Sequence, residues 1–289
     1  VYGYTNDLSK TSLMNLASTL ASSFKGDRIK TVTELKKQRV HNIHKQAKPL
    51  HEMSKEDKIK FLTMISDEMK TYGDKIVRRV VSLGDNLQKV TIINSEGKIF
   101  QDTRERGRMY ISALASDENG IENGGVGPGA SKGFEFFTED IDVKALAHEV
   151  CELAIKKLSA KECPSGKMPV VIGNGFGGVI FHEACGHALE ASSVSKNLSI
   201  FSNKLGQQIA SEVVTAIDDG TIPNGWGSNN IDDEGNKTNR TVLIEKGILK
   251  NYLIDDFNGR RMGMKGNGAS RRQSYAFEPT SRMSNTCLL

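Results

Sequence analysis

The chain has 289 residues, 37% hydrophobic and 26% charged, enough for a sizeable core in one large or two ordinary domains; a disulfide-stapled miniprotein and a disordered tail are excluded. Its 39 Lys and Arg against 35 Asp and Glu leave a formal +4, too mild to imply nucleic acid, and its 6 prolines against 28 glycines exclude a proline-rich linker and point to many turns. The four cysteines, Cys151, Cys163, Cys185 and Cys287, lack CxxC pairing, and there is no cleavable signal and no apolar run of about 18 residues, so we expect a soluble, cytoplasmic protein of a reducing compartment.

From Asp7 to Phe24, Leu13, Leu16, Leu20 and Phe24 recur at helical spacing behind an Asp cap. Ser54 followed by Asp57, then Ile59, Leu62, Ile65 and Met69, announces a second helix. Between them, residues 25–60 hold eleven Lys and Arg against five Asp and Glu. A solvated face is expected there, with a nucleic-acid or acidic-peptide surface as the bolder alternative. His41 and His44 have the i,i+3 spacing of a helical metal pair but no convincing companion ligands.

Strands are expected at 76–83, 89–94, 98–102 and 108–115, with Ser95-Glu96-Gly97 as a hairpin turn and antiparallel pairing. Gly120, Gly124, Gly125, Gly127, Gly129 and Gly133 then read as a surface loop or one that closes over a ligand. Asp140 to Lys161 reads as a long helix with a stripe of Leu146, Val150, Leu153, Ala154 and Leu158. His148 and Glu152 lie nearly opposite Val150 and are expected in solvent, not on a metal. Cys163-Pro164-Ser165-Gly166 breaks the helix, giving an N-terminal α/β domain over 1–165 and a second domain over 166–289.

Residues 168–190 are expected to run strand, glycine loop, helix. Gly173, Gly175 and Gly178 fit GxGxxG, but no acidic residue closing a second parallel strand follows at the distance a dinucleotide fold needs. The alternative is His182-Glu183-x-x-x-His187, one residue longer than HExxH. On a regular helix, residues five apart differ by about 140°, so the two imidazoles cannot share one metal unless the helix bulges. Gly186 would let the backbone do so, and one π-type turn would realign the rings. His182 and His187 would then hold Zn²⁺, with Glu183 as the base that takes a proton from the attacking water and passes it to a departing amine.

Here the sequence resembles the TldD/PmbA family of metallopeptidases, specifically its metal-binding branch. The resemblance is carried by GNGFGGVIFHEACGHALE at 173–190, Ile209-Ala210-Ser211, DDGTIPNGWG at 218–227, DDEG at 232–235, the Leu243–Leu253 hairpin and GASRRQSY at 268–275, with YGYTNDL at 2–8 resembling a strand entering a helix. It implies an α+β fold, in which an N-terminal α/β portion with antiparallel strands precedes a strand-rich C-terminal portion carrying the HExxxH helix. It assigns metal to His182 and His187 and catalysis to Glu183. The implied activity is zinc-dependent hydrolysis of unfolded or extended peptides, by a homodimer or a heterodimer with a metal-free paralogue, without nucleic acid or membrane. A metal-independent peptide-binding or chaperone-like subunit is the alternative.

Two departures stand out. The family usually continues with Leu-Glu-Gly-Asp where this chain has Leu189-Glu190-Ala191-Ser192, and its third metal ligand is a cysteine in a C-terminal stretch that neither Cys185 nor Cys287 matches. With no initiating methionine and an apolar ending, Thr286-Cys287-Leu288-Leu289, we expect an interior piece of a longer polypeptide.

Past the motif, 212–217 is expected as a strand, Asp218-Asp219-Gly220 as a turn, and 241–245 with 248–253 as a hairpin turned by Lys246-Gly247. The carboxylates Asp218, Asp219, Asp232, Asp233, Asp255 and Asp256 lack EF-hand spacing and are read as turn chemistry. Arg260, Arg261, Arg271 and Arg272 are left to oppose them or to bind substrate carboxylates.

Overall fold

The computed structural model describes residues 1–26 and 33–289. Residues 2–8 enter the first helix without joining a sheet. That helix, α1 (Lys10–Ser22), starts later than expected, because Asp7 accepts from the N–H and hydroxyl of Ser9 while Ser9 itself accepts from the Ser12 N–H and becomes the cap. None of its residues is fully buried.

Of the basic stretch, Asp27, Arg28 and Lys30 lie outside the described residues. The rest includes β1 (Lys36–Lys37), which pairs in parallel with Lys98–Ile99, and then an irregular segment with no helix. His41 and His44 therefore do not form the helical pair their spacing suggested. His44 is instead buried with its Nδ1 unpartnered, and burial together with the Arg106 guanidinium lowers its pKa.

Helix α2 (Lys55–Met69) begins as expected, the Asp57 N–H donating to Ser54 Oγ, and buries Ile65 and Met69 while Ile59 stays exposed. The four expected strands merge into two, β2 (Ile76–Ile93) and β3 (Lys98–Asp117), which pair antiparallel in one hairpin turned at Ser95-Glu96-Gly97. The polar stretch 104–107, which falls between the expected strands 98–102 and 108–115, lies within β3, where its charged side chains find partners. Arg104 binds Asp102 and Asp233, and Glu105 accepts from the His51 N–H.

Most of the glycine-dense segment is strand rather than loop, β4 (Gly120–Val126) and β5 (Gly129–Ala130), both paired to β3. Gly124 is required there because a Cβ would fall on the Val150 carbonyl of helix α3 (Val143–Leu158). That helix is shorter than expected and is capped by Asp142, which accepts from the N–H groups of Lys144 and Ala145. It buries Val143, Ala147, Val150, Cys151, Ala154 and Leu158, leaving Leu153 exposed. Its His148 and Glu152 are not a chelating pair: His148 contacts Glu68 and Tyr72 at 3.0 Å each, and Glu152 accepts from the same tyrosine hydroxyl. Helices α2 and α3 thus close one core over the β2–β3–β4 sheet, centred on Ile65, Met109, Ile111, Phe137 and Val150.

A second core follows. After the short helices α4 (Val179–Phe181) and α5 (Ala191–Val194) come β6 (Ala216–Asp219), β7 (Arg240–Glu245) and β8 (Ile248–Leu249). Helix α6 (Asp256–Met262), the small pair β9 (Ser270–Arg271) and β10 (Thr280–Ser281), and β11 (Thr286–Leu288) complete it. The main sheet has the order β11-β6-β7-β8. The β7–β8 turn falls at Lys246-Gly247 as expected, with φ of 46° and 78°, the paired left-handed conformations of a type I′ turn. Strand β6 starts later than expected, so Asp218 and Asp219 lie in the strand and the chain turns after them. Leu189, Leu243, Tyr252, Leu253 and Met283 are among the residues of this core. The molecule is thus α+β, with helices and antiparallel strands first and a strand-rich part bearing His182 and His187 second.

Candidate metal centre

The approach to the motif differs from expectation. No strand forms at 168–172, where Val171 is fully exposed, so the GxGxxG segment lacks the strand that a dinucleotide site requires. Gly175, at φ 77°, turns the chain into a short 3-10 turn that leads to α4.

From His182 to Gly186 the helix widens into a π turn, the His187 N–H donating to the His182 carbonyl five residues back. The extra residue turns His187 onto the face of His182, and their rings stand 4.7 Å apart, nearly perpendicular at 84°. The donor atoms of His182, Glu183 and His187 all lie within 4.8 Å of one another. The bulge that the five-residue spacing demanded is present. Gly186, however, has an ordinary helical φ of −55°, so conformational freedom is not why it is glycine. A Cβ there would strike Met283 Sδ, and the missing side chain lets the motif sit against the second core.

The surroundings of the three groups differ. Glu183 is largely exposed, its Oε2 4.0 Å from His187 Nε2. The other nitrogen of His187, Nδ1, lies 3.0 Å from Oε1 of Glu190. Glu190 is buried, which raises its carboxyl pKa, while Arg282, whose Nη1 is 3.7 Å away, and His187 oppose the shift. Sequence reasoning missed Glu190, although its i+3 spacing from His187 was a usable signal.

Cys185 packs against the second core, and burial raises its thiol pKa. Cys287, on β11, has Sγ directed at the Asn285 carbonyl. Neither joins the donor group among the described residues. The acidic residues do serve turns and pairings. Asp218 accepts from Ser284 and Thr286, Asp232 from the Glu234 and Asn236 N–H groups, Asp255 caps α6, and Asp233 takes Arg104. Of the arginines, Arg261 stacks over Phe257 and Arg272 donates to the Tyr2 hydroxyl.

Two imidazoles with a carboxylate beside them, partly open to solvent, suit a borderline-soft divalent ion such as zinc, so these residues fit a metal centre. A helix-borne His-Glu-His group on an α+β fold marks a domain of the metallopeptidase class. Comparison with known proteins agrees: residues 165–289 match the PmbA/TldA metallopeptidase C-terminal domain and residues 48–158 its central domain. The chain belongs to the PmbA/TldD metallopeptidase family. It is 37% identical over 261 residues to the metalloprotease TldD homolog of Buchnera aphidicola (88% of this chain, 54% of that one) and 39% identical over 245 residues to that of Haemophilus influenzae (83% and 51%). It therefore spans about half the length of these curated relatives.

Among solved structures, a Thermotoga maritima protein described as a candidate modulator of a DNA gyrase superposes with a TM-score of 0.78 at 23% identity, covering 99% of this chain and 63% of that one. TldE from Thermococcus kodakarensis gives a TM-score of 0.70 at 18% identity, covering 97% and 62%. These likenesses concern the fold.

Proposed function

We propose that this chain carries the catalytic centre of a zinc-dependent peptidase acting on unfolded or extended peptides in the cytoplasm, with His182 and His187 as metal ligands and Glu183 as general base. The π turn supports this reading most directly, because it makes one face of two histidines whose spacing would otherwise separate them. A bound Zn²⁺ would supply polarisation of the scissile carbonyl and acidification of the attacking water. Glu183, exposed beside His187, would accept the water proton and return it to the departing amine. A third protein donor, which the resemblance assigns to a cysteine, is not in the group gathered among the described residues, so these 289 residues should hold metal less tightly than a chain that supplies it.

Substrate would be held by its backbone. Gly124 to Gly127 and Phe176 of the two glycine segments line one cavity of about 600 Å³ with Arg108, Tyr110 and Lys157. Strand β4 pairs only with β3 among the described residues, which leaves an edge that an extended peptide could extend. No described helix is long and apolar enough to cross a membrane. We further propose assembly as a homodimer or with a metal-free paralogue, which a mass measurement in solution distinguishes.

The decisive variant is Glu183→Gln, made in a polypeptide of the relatives' full length. Zinc content should stay at the wild-type level while hydrolysis of an unstructured peptide falls by ~10²–10⁴-fold. Unchanged turnover removes Glu183 as the base. Absence of zinc from wild-type protein purified without chelator favours a metal-independent peptide-binding subunit.

A further inference from the structure

We infer that Glu190 is the positioning residue of His187: it fixes the imidazole in the Nδ1–H tautomer and so makes Nε2 the metal-facing nitrogen. The inference deepens the metallopeptidase reading and rests on it for the metal, but the tautomer itself can be read without one. A neutral imidazole has one N–H and one lone pair, and a carboxylate can only accept. With Oε1 of Glu190 3.0 Å from Nδ1, the proton belongs on Nδ1, and the lone pair is left on Nε2, the nitrogen nearer to Glu183.

The acceptor is rigidly held. Glu190 is 6% exposed and sits between Leu189 and Ala191, both fully buried. The Ala191 N–H donates to the Leu253 carbonyl at 2.8 Å and the Leu253 N–H to the Leu189 carbonyl at 3.0 Å, so the main chain on both sides of Glu190 is bonded to one buried residue. Arg282 approaches the same carboxylate oxygen and offsets its charge. For His182, no ring hydrogen bond occurs among the described residues; the His187 ring and the Glu183 carboxylate stand beside it without fixing a tautomer. The two proposed ligands are therefore unequal, His187 pre-oriented from the second core and His182 free to adjust. Outer partners of metal-bound histidines typically contribute 10–100-fold in affinity, on the order of one to two decades.

The test uses a polypeptide of the relatives' full length, metal-free and with ¹⁵N-labelled histidine at pH 8, where two-bond ¹⁵N–¹H correlations show which nitrogen of each ring is protonated, followed by zinc titration against a competing chelator. His187 should be protonated at Nδ1 in the wild type and in Glu190→Gln, whose carboxamide oxygen still accepts. Glu190→Ala should lose that preference and bind zinc ~10–100-fold more weakly. A wild-type His187 protonated at Nε2 overturns the inference, and that spectrum needs no variant to fold. So does a Glu190→Ala protein with unchanged tautomer and zinc affinity. The predicted tautomer together with no zinc binding sustains the role of Glu190 and defeats the metallopeptidase reading instead.

Discussion

At position 186 the side chain that is missing matters more than any backbone freedom. Gly186 has a φ that every residue adopts, yet a methyl group there would overlap Met283, which is itself buried. Overpacking of this kind costs about 1–3 kcal/mol. Gly186→Ala should therefore lower stability by that amount in urea unfolding and weaken zinc binding, and adding Met283→Ala should recover part of both; a Gly186→Ala protein as stable as wild type would show that Met283 moves aside freely. The need for a bulge was legible in the sequence, because the histidine spacing and helix geometry together leave no other way to bring the rings together. The reason for Gly186 was not, since it depends on a residue brought close only by the tertiary fold. Glu190 was legible as an i+3 neighbour of His187, but its burial, which gives the contact its rigidity, comes from Leu253 and the second core.

At the scale of elements, local composition misled where tertiary partners changed its meaning. Asp85 and Arg104 to Gly107 look like interruptions, but Asp85 pairs with Lys58 of α2 at 2.8 Å and faces Gly107 in the ladder, so both strands run through. The glycines of β4 look like a loop because glycine usually marks one, whereas Gly124 is small so that α3 can lie against the sheet. The cap at Ser54 and the turn at Lys246-Gly247 were read correctly, since both depend on residues within one turn of each other. The contrast between glycines can be measured. Gly124→Ala, whose Cβ would meet backbone that cannot rotate away, should cost about 1–3 kcal/mol and speed amide exchange in α3. Gly173→Ala, with open space around the added carbon, should stay within about 0.5 kcal/mol of wild type. Equal effects at the two positions would contradict the close-packing explanation.

For the whole molecule, the two cores are joined by a buried polar seam that no local pattern announced. Arg104 of β3 donates to Asp233 at 2.7 Å, to Asp102 at 3.2 Å and to the Ile231 carbonyl at 2.9 Å, and Arg106 donates to Asn229. Burial lowers the Arg106 pKa to about 10. Removing one partner of a buried ion pair leaves the other charge uncompensated, so Arg104→Ala should destabilise the protein by about 3–5 kcal/mol in denaturant unfolding. A loss below about 1 kcal/mol would mean that water enters the seam and solvates Asp233, as at an exposed pair. The second core carries both histidines and Glu190, and the seam fixes it against the sheet whose β4 edge is the proposed peptide platform. The proposed substrate platform and the proposed metal centre would thus sit on different cores.

The joint presentation of His182 and His187 to one metal is tested most directly by X-ray absorption at the zinc edge of the reconstituted protein. Two imidazole nitrogens at about 2.0–2.1 Å are expected, falling to one when either His182 or His187 is replaced by glutamine. A zinc shell without imidazole scattering, or one unchanged by both replacements, would contradict the assignment.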